Sequence, residues 1–201
     1  MEPHKPVLII IAGPNGSGKT TITKNVLRHE WVQGCVYINP DDIANEKFGD
    51  WNSPEAVKDA AIYATEWREQ LMKEKKSMIF ETVFSAEDKV DFVKRAKDAG
   101  YFIRVFFIST ADPAINAKRI TKRYLEGGHE VPIPKIISRY KKSILNCAKV
   151  AKIVDRLYLY DNSVDDKDAE RLFRATNGTI AKKDQEIIPD WASGIYLLLC
   201  K

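Results

Sequence analysis

Cysteine and histidine are scarce in this sequence, which contains three of each among 201 residues. Cys35, Cys147 and Cys200 are scattered and odd in number, so we expect no disulfide framework and a reducing, cytoplasmic compartment. The histidines form no spaced pair, which argues against a zinc site. Long apolar runs are also missing, because Val7–Ala12 and Ile195–Cys200 are far shorter than the ~20 residues that a membrane-spanning helix needs. We therefore expect no membrane contact.

A strong net charge is missing as well. Lysine and arginine number 32 against 28 aspartate and glutamate residues, so the formal net charge is +4. A dedicated nucleic-acid binder usually presents a strongly basic face, so we do not expect nucleic acid as a substrate, whereas small anionic molecules remain compatible. The length fits one domain over residues 1–201, with a core at about 7–163 and a closing C-terminal segment at 164–201.

The most informative stretch is Gly13–Thr20, which matches the phosphate-binding loop G-x-x-x-x-G-K-[ST]. It follows an apolar run that predicts a buried strand, and it precedes a segment that is compatible with a helix. Lys19 should reach the β- and γ-phosphates of ATP, and the Thr20 hydroxyl should bind Mg²⁺. The predicted nucleotide-binding residues are Gly13, Pro14, Asn15, Gly16, Ser17, Gly18, Lys19, Thr20 and Thr21.

Strand-like and helix-like stretches alternate along the chain, which predicts an α/β fold with a mainly parallel sheet. The five predicted strands are Val7–Ala12, Cys35–Ile38, Ser77–Phe80, Tyr101–Ile108 and Leu157–Tyr160. The predicted helices run at about 20–28, 53–76, 88–99, 112–126 and 134–155. Towards the C-terminus, Asn177-Gly178 predicts a hairpin. The segment from Ile187 to Cys200 is compatible with either a strand or a short helix.

Acidic residues follow four of the predicted strands, at the sheet edge where α/β proteins bind ligands, and two of them are the main candidates. Asp41 is the candidate base that accepts the proton of an acceptor hydroxyl. The alternative is that Asn39-Pro40-Asp41-Asp42 is only a turn and helix cap without a catalytic role, and we expect Asp42 to be such a cap. Glu81 ends an apolar strand, where an unpaired carboxylate is costly, so we expect it in a substrate site or near the metal.

A basic segment from Lys118 to Lys142 surrounds the turn Leu125–Pro132. Arg119 and Arg123 lie four residues apart and share a helix face, and Arg139 belongs to the next helix. We interpret the segment as a lid whose arginines neutralise the charge that develops during transfer. A solvated basic surface is the alternative.

These motifs together resemble the zeta toxin family of P-loop kinases over about residues 7–163. The specific part of the resemblance lies in Gly-Gly-His-Glu-Val-Pro at 127–132, Arg139-Tyr140 and Tyr160-Asp161-Asn162-Ser163. The resemblance implies a P-loop kinase-like three-layer sandwich with a helical lid. It also implies transfer of phosphate from ATP, with Mg²⁺, to the 3′-hydroxyl of UDP-N-acetylglucosamine, and an antitoxin protein that blocks the nucleotide site.

By position, the resemblance implies Lys19, Asp41, Arg123 and Arg139 as catalytic residues, with Arg119 as an alternative to Arg123. Glu81 falls in the sugar site, and we place the neighbouring Thr82 there with it. The chain departs from the toxins after both acidic residues, at 42–44 and 83–84. The acceptor could therefore also be another small molecule that carries a hydroxyl group.

Two further functions remain compatible with the sequence. One is a nucleotide or polynucleotide 5′-hydroxyl kinase, which would need a groove that stacks bases or follows a strand. The other is a non-catalytic ATP-binding switch that contacts a protein partner through Trp31 and Trp51. The switch could lose the Asp41 carboxylate, whereas a kinase could not without a large loss of rate.

Overall fold

The computed structural model of the protein describes residues 5–48, 53–126 and 131–200. Trp51 and the motif Gly127-Gly128-His129-Glu130 lie outside the described residues. The strands are β1 (Val7–Ala12), β2 (Val36–Ile38), β3 (Met78–Thr82), β4 (Phe102–Ser109), β5 (Arg156–Asp161), β6 (Glu170–Thr176) and β7 (Thr179–Lys183). The helices are α1 (Lys19–Val26), α2 (Pro40–Phe48), α3 (Pro54–Lys73), α4 (Glu87–Asp98), α5 (Pro113–Leu125), α6 (Ile133–Val150) and α7 (Asp190–Leu199).

All seven strands form one sheet in the order β2-β3-β1-β4-β5-β6-β7. The five predicted strands are present and pair in parallel with their neighbours. The predicted hairpin adds β6 and β7 in antiparallel orientation to the same sheet, which therefore has seven strands rather than five. Asn177 and Gly178 both have positive φ, as a tight two-residue hairpin requires.

The helices cover both faces of the sheet, which makes the predicted three-layer sandwich. Leu8 and Ile10 of β1 pack in a core with residues of α3, α4, α6 and α7, whereas Ile9 and Ile11 pack against α1 on the other face. The segment that the sequence left undecided is the helix α7, which buries three apolar side chains. Among the described residues, no helix combines the length and the apolar character that crossing a bilayer requires.

The chain around Asp41 differs from the prediction. Pro40, Asp41 and Asp42 form the first turn of α2, which the sequence analysis did not predict. The expected cap role of Asp42 was wrong: the Asp41 backbone N–H donates to Asn39 Oδ1 at 3.0 Å, so Asn39 caps the helix. Asn, Pro and Asp favour turns and helix starts alike, so the local sequence could not distinguish the two. As a result, Asp41 sits on a helix rather than on a loop.

Asp155, directly before β5, joins three parts of the fold. Its Oδ2 accepts a hydrogen bond from the Ile103 backbone N–H at 2.8 Å, and its Oδ1 pairs with Lys97 Nζ at 2.8 Å. Its carbonyl oxygen accepts from the Asn177 N–H of the hairpin. A single carboxylate residue therefore ties β4, α4 and the β6–β7 hairpin together.

We expect Asp155→Ala to lower the free energy of unfolding by about 2 kcal/mol, because it leaves the N–H of buried Ile103 without its charged acceptor. The shift of the urea midpoint measures this loss. Asp98→Ala removes an exposed carboxylate from the end of α4 and should change stability by less than ~0.5 kcal/mol. Equal effects of the two substitutions would contradict the assigned role of Asp155.

Candidate active site

A cleft of about 600 Å³ lies at the carboxyl-terminal edge of the parallel strands. Ligands of open α/β sheets bind at this edge. The cleft brings together most of the residues that the sequence analysis selected from distant segments. They are Asn15, Gly16, Gly18, Lys19, Thr20, Asp41, Glu81, Thr82, Arg119, Arg123 and Arg139.

The phosphate loop between β1 and α1 needs its glycines because other backbone and side-chain atoms approach them closely. Gly13 has φ +151°, and a Cβ there would lie 2.0 Å from the Ile108 carbonyl oxygen at the end of β4. Gly18 has φ +90°, and a Cβ there would lie 2.1 Å from Asn162 Nδ2. Side chains do not fit at these distances, so the loop can take this path only with glycine.

Two asparagines hold the loop from outside. Asn116 of α5 is fully buried, and its Nδ2 donates to the Asn15 carbonyl oxygen at 2.6 Å. Asn162, directly after β5, donates from Nδ2 to the Ser17 carbonyl oxygen at 2.9 Å. Asn162 belongs to a motif noted in the sequence, whereas Asn116 was missed. An amide at a buried position of an amphipathic helix was the only signal that could have indicated it.

Lys19 begins α1, and its ammonium group is held at the loop. Nζ donates to the Gly13 and Pro14 carbonyl oxygens at 2.9 and 3.1 Å. Burial lowers the pKa of Lys19 to about 8, while the nearby carboxylates of Glu81 and Asp41 act in the opposite direction. The charge of Lys19 is thus maintained by carbonyl and carboxylate oxygens, and it lies where a phosphate would approach the loop.

The acidic side of the cleft is formed by α2 and β3. Asp41 is exposed to the cleft on the first turn of α2, whereas Asp42 does not line it. Glu81 accepts a hydrogen bond from the Tyr37 hydroxyl at 2.7 Å. Burial and the charge of Glu81 raise the pKa of Tyr37, so its hydroxyl stays protonated and fixes the Glu81 carboxylate. Sequence analysis missed Tyr37, because in the sequence it is only one aromatic residue in a short predicted strand.

The three arginines of the basic segment have different surroundings. Arg119 donates from Nε to Asp165 Oδ1 and from Nη1 to the Asn162 carbonyl oxygen, both at 2.8 Å. Arg139 donates from Nη1 to Asn15 Oδ1 at 3.2 Å. Arg123 is exposed and lines the cleft, with no hydrogen-bond partner within the described ranges. Arg119 is therefore committed to neighbouring protein groups, whereas the Arg123 charge faces the cleft.

The donor set at the loop suits a metal ion that arrives with a nucleotide. In the part of the chain that the structure describes, no three His, Cys, Asp or Glu residues cluster to hold a metal. Thr20 presents an exposed hydroxyl on the first turn of α1. Mg²⁺ usually takes one or two protein oxygens and completes its shell with phosphate oxygens and water. Thr20 can supply such an oxygen.

One wall of the cleft comes from α3 and the start of α4, and the sequence analysis singled out none of its side chains. It carries apolar side chains near the N-terminal end of α3 and polar or basic side chains further along. The residues are Val57, Ala61, Thr65, Arg68 and Lys89. The cleft therefore extends well beyond the phosphate loop and has room for a second ligand.

Comparison with known proteins identifies both family and fold. The sequence profile of the zeta toxin family matches residues 1–177. A structure of the Streptococcus pneumoniae PezAT chromosomal toxin–antitoxin system is similar with a TM-score of 0.64 at 18% identity, covering 99% of this chain and 80% of that chain. No curated protein sequence matches.

The AvrRxo1-ORF1:-ORF2 complex is also similar in structure. Its native form has a TM-score of 0.67 at 17% identity, covering 97% of this chain and 63% of that chain. Its form with ATP has a TM-score of 0.64 at 17% identity, covering 90% and 61%. The present chain thus spans less than two thirds of those two chains. At these identities the likeness shows the fold, which is that of P-loop kinases.

The lowered pKa of Lys19 predicts a pH-dependent affinity for phosphate ligands. Bound phosphate should raise that pKa, so binding takes up a proton above about pH 8. The affinity for a non-hydrolysable ATP analogue should then fall with rising pH, by up to about tenfold per unit. Calorimetry in buffers of different ionisation enthalpy measures both effects.

Two variants of α1 test whether Lys19 is the group that takes up the proton. Lys24→Arg should preserve the proton uptake, and Lys19→Met should abolish it. A pH-independent affinity of the unmodified protein would contradict the assignment.

Proposed function

The chain belongs to the zeta toxin family, and we propose that it is an ATP- and Mg²⁺-dependent kinase that phosphorylates a hydroxyl group of a small molecule. The family and the P-loop kinase fold support a phosphotransferase activity. The observation that carries the proposal is the single cleft that joins a complete phosphate loop to a carboxylate on α2. A nucleotide and an acceptor could meet there.

In this proposal the loop binds the nucleotide. Its backbone amides and the N-terminus of α1 face the phosphates, and Lys19 exchanges its loop carbonyl partners for β- and γ-phosphate oxygens. Thr20 contributes its hydroxyl to Mg²⁺, which when bound neutralises charge on the phosphates. Asn116 and Asn162 hold the loop in position, because each donates a hydrogen bond to one of its carbonyl oxygens.

Asp41 acts as the general base. The acceptor oxygen bonds to the γ-phosphorus, its proton moves to the Asp41 carboxylate, and the bond from the γ-phosphorus to the oxygen bridging to ADP breaks. The Asp41 side chain lies on the first turn of α2, at the acceptor side of the cleft. Lys19 and Asp41 line the same cleft, so a nucleotide at the loop and an acceptor at Asp41 would share one space.

The three arginines have two different roles in this proposal. Arg123 and Arg139 stabilise the charge that develops on the transferred group, as part of a lid formed by α5 and α6. Arg119 has its donors engaged with Asp165 and Asn162, so we propose for it a structural role next to the loop.

For the acceptor we propose a compact anionic molecule with a free hydroxyl, with a UDP-amino sugar as first choice. Glu81 and Thr82 line the cleft and would bind sugar hydroxyls or an amide N–H. Phe84 is buried, so at that position the cleft lacks the polar contacts expected in the toxins. The basic residues concentrate around the triphosphate site, which disfavours a long nucleic-acid substrate, since such binding depends on many phosphate contacts.

We also propose a cytoplasmic location and an antitoxin-like protein as a partner. The support is the family together with the PezAT neighbour, which is a toxin–antitoxin system. Trp31 is a poor candidate for a protein-binding anchor, because its ring stacks on Phe106 at 6.0 Å and lies under the Arg104 guanidinium at 4.6 Å. This packing weakens the case for a purely non-catalytic switch.

The test of the function is transfer of label from γ-labelled ATP to a panel of UDP-sugars, nucleosides and 5′-hydroxyl oligonucleotides. We expect label on a sugar nucleotide, dependent on Mg²⁺. Asp41→Asn should lower kcat by roughly 100-fold or more while ATP still binds, the range expected when a general base is lost. Asp42→Asn, in the same helical turn but outside the cleft, is the matched control. Label on an oligonucleotide and on no sugar nucleotide would favour the polynucleotide kinase instead.

The two arginines of α5 should behave differently on substitution. Arg123→Ala should lower kcat by more than it raises KM for ATP, because its charge acts mainly when negative charge develops. Arg119→Ala should instead reduce thermal stability and weaken ATP binding, because it removes the bonds to Asp165 and Asn162. Steady-state kinetics and thermal unfolding separate the two results, and the reverse pattern would exchange the two roles.

A further inference from the structure

Arg68 of α3 combines two properties that rarely occur together. Its residue surface is only 4% exposed, yet the side chain lines the cleft. The guanidinium carbon lies 4.9 Å from the ring centre of Phe80 and 5.9 Å from that of Phe92. The two aromatic rings therefore support a flat cationic group at the boundary between the core and the cleft.

The charge of Arg68 has no ion-pair partner in the described ranges. Its Nη2 donates to Thr65 Oγ1 at 2.8 Å, and its Nε makes no hydrogen bond with any described residue. The two carboxylates whose charges act on Arg68 have other partners: Glu69 binds Arg95 with both oxygens at 2.6 and 2.7 Å, and Asp88 pairs with Lys89. Burial lowers the pKa of Arg68, but an arginine side chain stays protonated in proteins.

A buried guanidinium without a direct ion-pair partner is costly for the fold, because the charges of Asp88 and Glu69 offset its desolvation only in part. Stacking on two aromatic rings recovers only part of this cost. The cost is understandable if an anion from outside the chain completes the site. A guanidinium also offers parallel N–H donors that match the two oxygens of a carboxylate or phosphate.

We propose that Arg68 is the anion-binding residue of the acceptor site and receives a carboxylate or phosphate group of the acceptor molecule. The inference rests on the proposed function, because the acceptor is the second ligand of the same cleft. Arg68 then selects the acceptor. A neutral analogue leaves the buried guanidinium without a partner, which is the arrangement that gives strong discrimination. Lys89 lines the same wall, but its charge is paired with Asp88, so Arg68 is the cation of this wall without a direct ion-pair partner in the described ranges.

The structure offers a matched control. Arg95 of α4 also places its guanidinium over the Phe92 ring, at 5.6 Å, but it is exposed, paired with Glu69 and outside the cleft. Arg95→Met and Arg68→Met therefore both remove an arginine stacked on the same aromatic ring, and only Arg68→Met removes one from the cleft. Arg68→Lys retains the charge but loses the planar fork.

The kinetic arm compares pairs of hydroxyl compounds with and without an anionic group: UDP-N-acetylglucosamine against N-acetylglucosamine, glucose 6-phosphate against glucose, and gluconate against glucose. The protein should prefer an anionic member, and the active pair should distinguish phosphate from carboxylate. Arg68→Met should raise KM for that acceptor roughly 10- to 100-fold with KM for ATP nearly unchanged, and Arg68→Lys should be intermediate. Preference for a neutral member, or equal effects of Arg68→Met and Arg95→Met, would overturn the proposal.

The binding arm does not need turnover. With the phosphate loop saturated by a non-hydrolysable ATP analogue and Mg²⁺, inorganic phosphate and acetate are titrated while the melting temperature is followed. A further stabilisation by either anion in the unmodified protein and in Arg95→Met, absent in Arg68→Met, supports the site. Stabilisation that persists in Arg68→Met overturns it. If no compound is phosphorylated but the Arg68-dependent stabilisation is present, the proposed kinase function fails and the anion site stands.

Discussion

The phosphate loop depends on close contact between its glycines and residues from other parts of the fold, and the order of the strands makes this contact possible. The Gly13 backbone lies against the end of β4, and Gly18 lies against Asn162 after β5, at distances where any side chain would clash. The order of strands in the sheet brings these ends together, because β4 lies beside β1 and β5 lies beside β4. Buried Asn116 adds a bond from α5. The loop is thus shaped by three distant segments as well as by its own sequence.

The electrostatics of the cleft follow from this arrangement. Lys19 is partly desolvated at the loop, and its charge is offset by carbonyl oxygens and by two carboxylates across the cleft. Bringing a nucleotide into the loop would add negative charge close to Asp41 and Glu81. Positive charge from Arg123 and Arg139 on α5 and α6 can offset that repulsion. The basic helices and the acidic strand ends are therefore complementary parts of one charge balance rather than independent surface features.

The sequence predicted the parts whose meaning is local and contiguous. The phosphate loop, the five parallel strands and the helices that start near residues 53 and 112 fall into this group. What it missed depends on contacts between distant segments. The hairpin was predicted, but its addition to the main sheet was not, because strand pairing is not encoded in the hairpin itself. Tyr37 and Asn116 acquire roles only through partners 44 and 101 residues away.

The same distinction separates the two halves of the cleft. The nucleotide half is built from a motif that tolerates little variation, since its glycines and its lysine have to match the fixed geometry of phosphate groups. The other half is lined by side chains of α2, α3, β3 and the residue that follows β3, where regular backbone places no glycine requirement on the sequence. Apolar Val83 and cationic Arg68 line that half, as do the acidic Glu81 and Asp41. These side chains lie outside the phosphate loop, so substituting them can change what this half of the cleft binds while the loop keeps its own contacts.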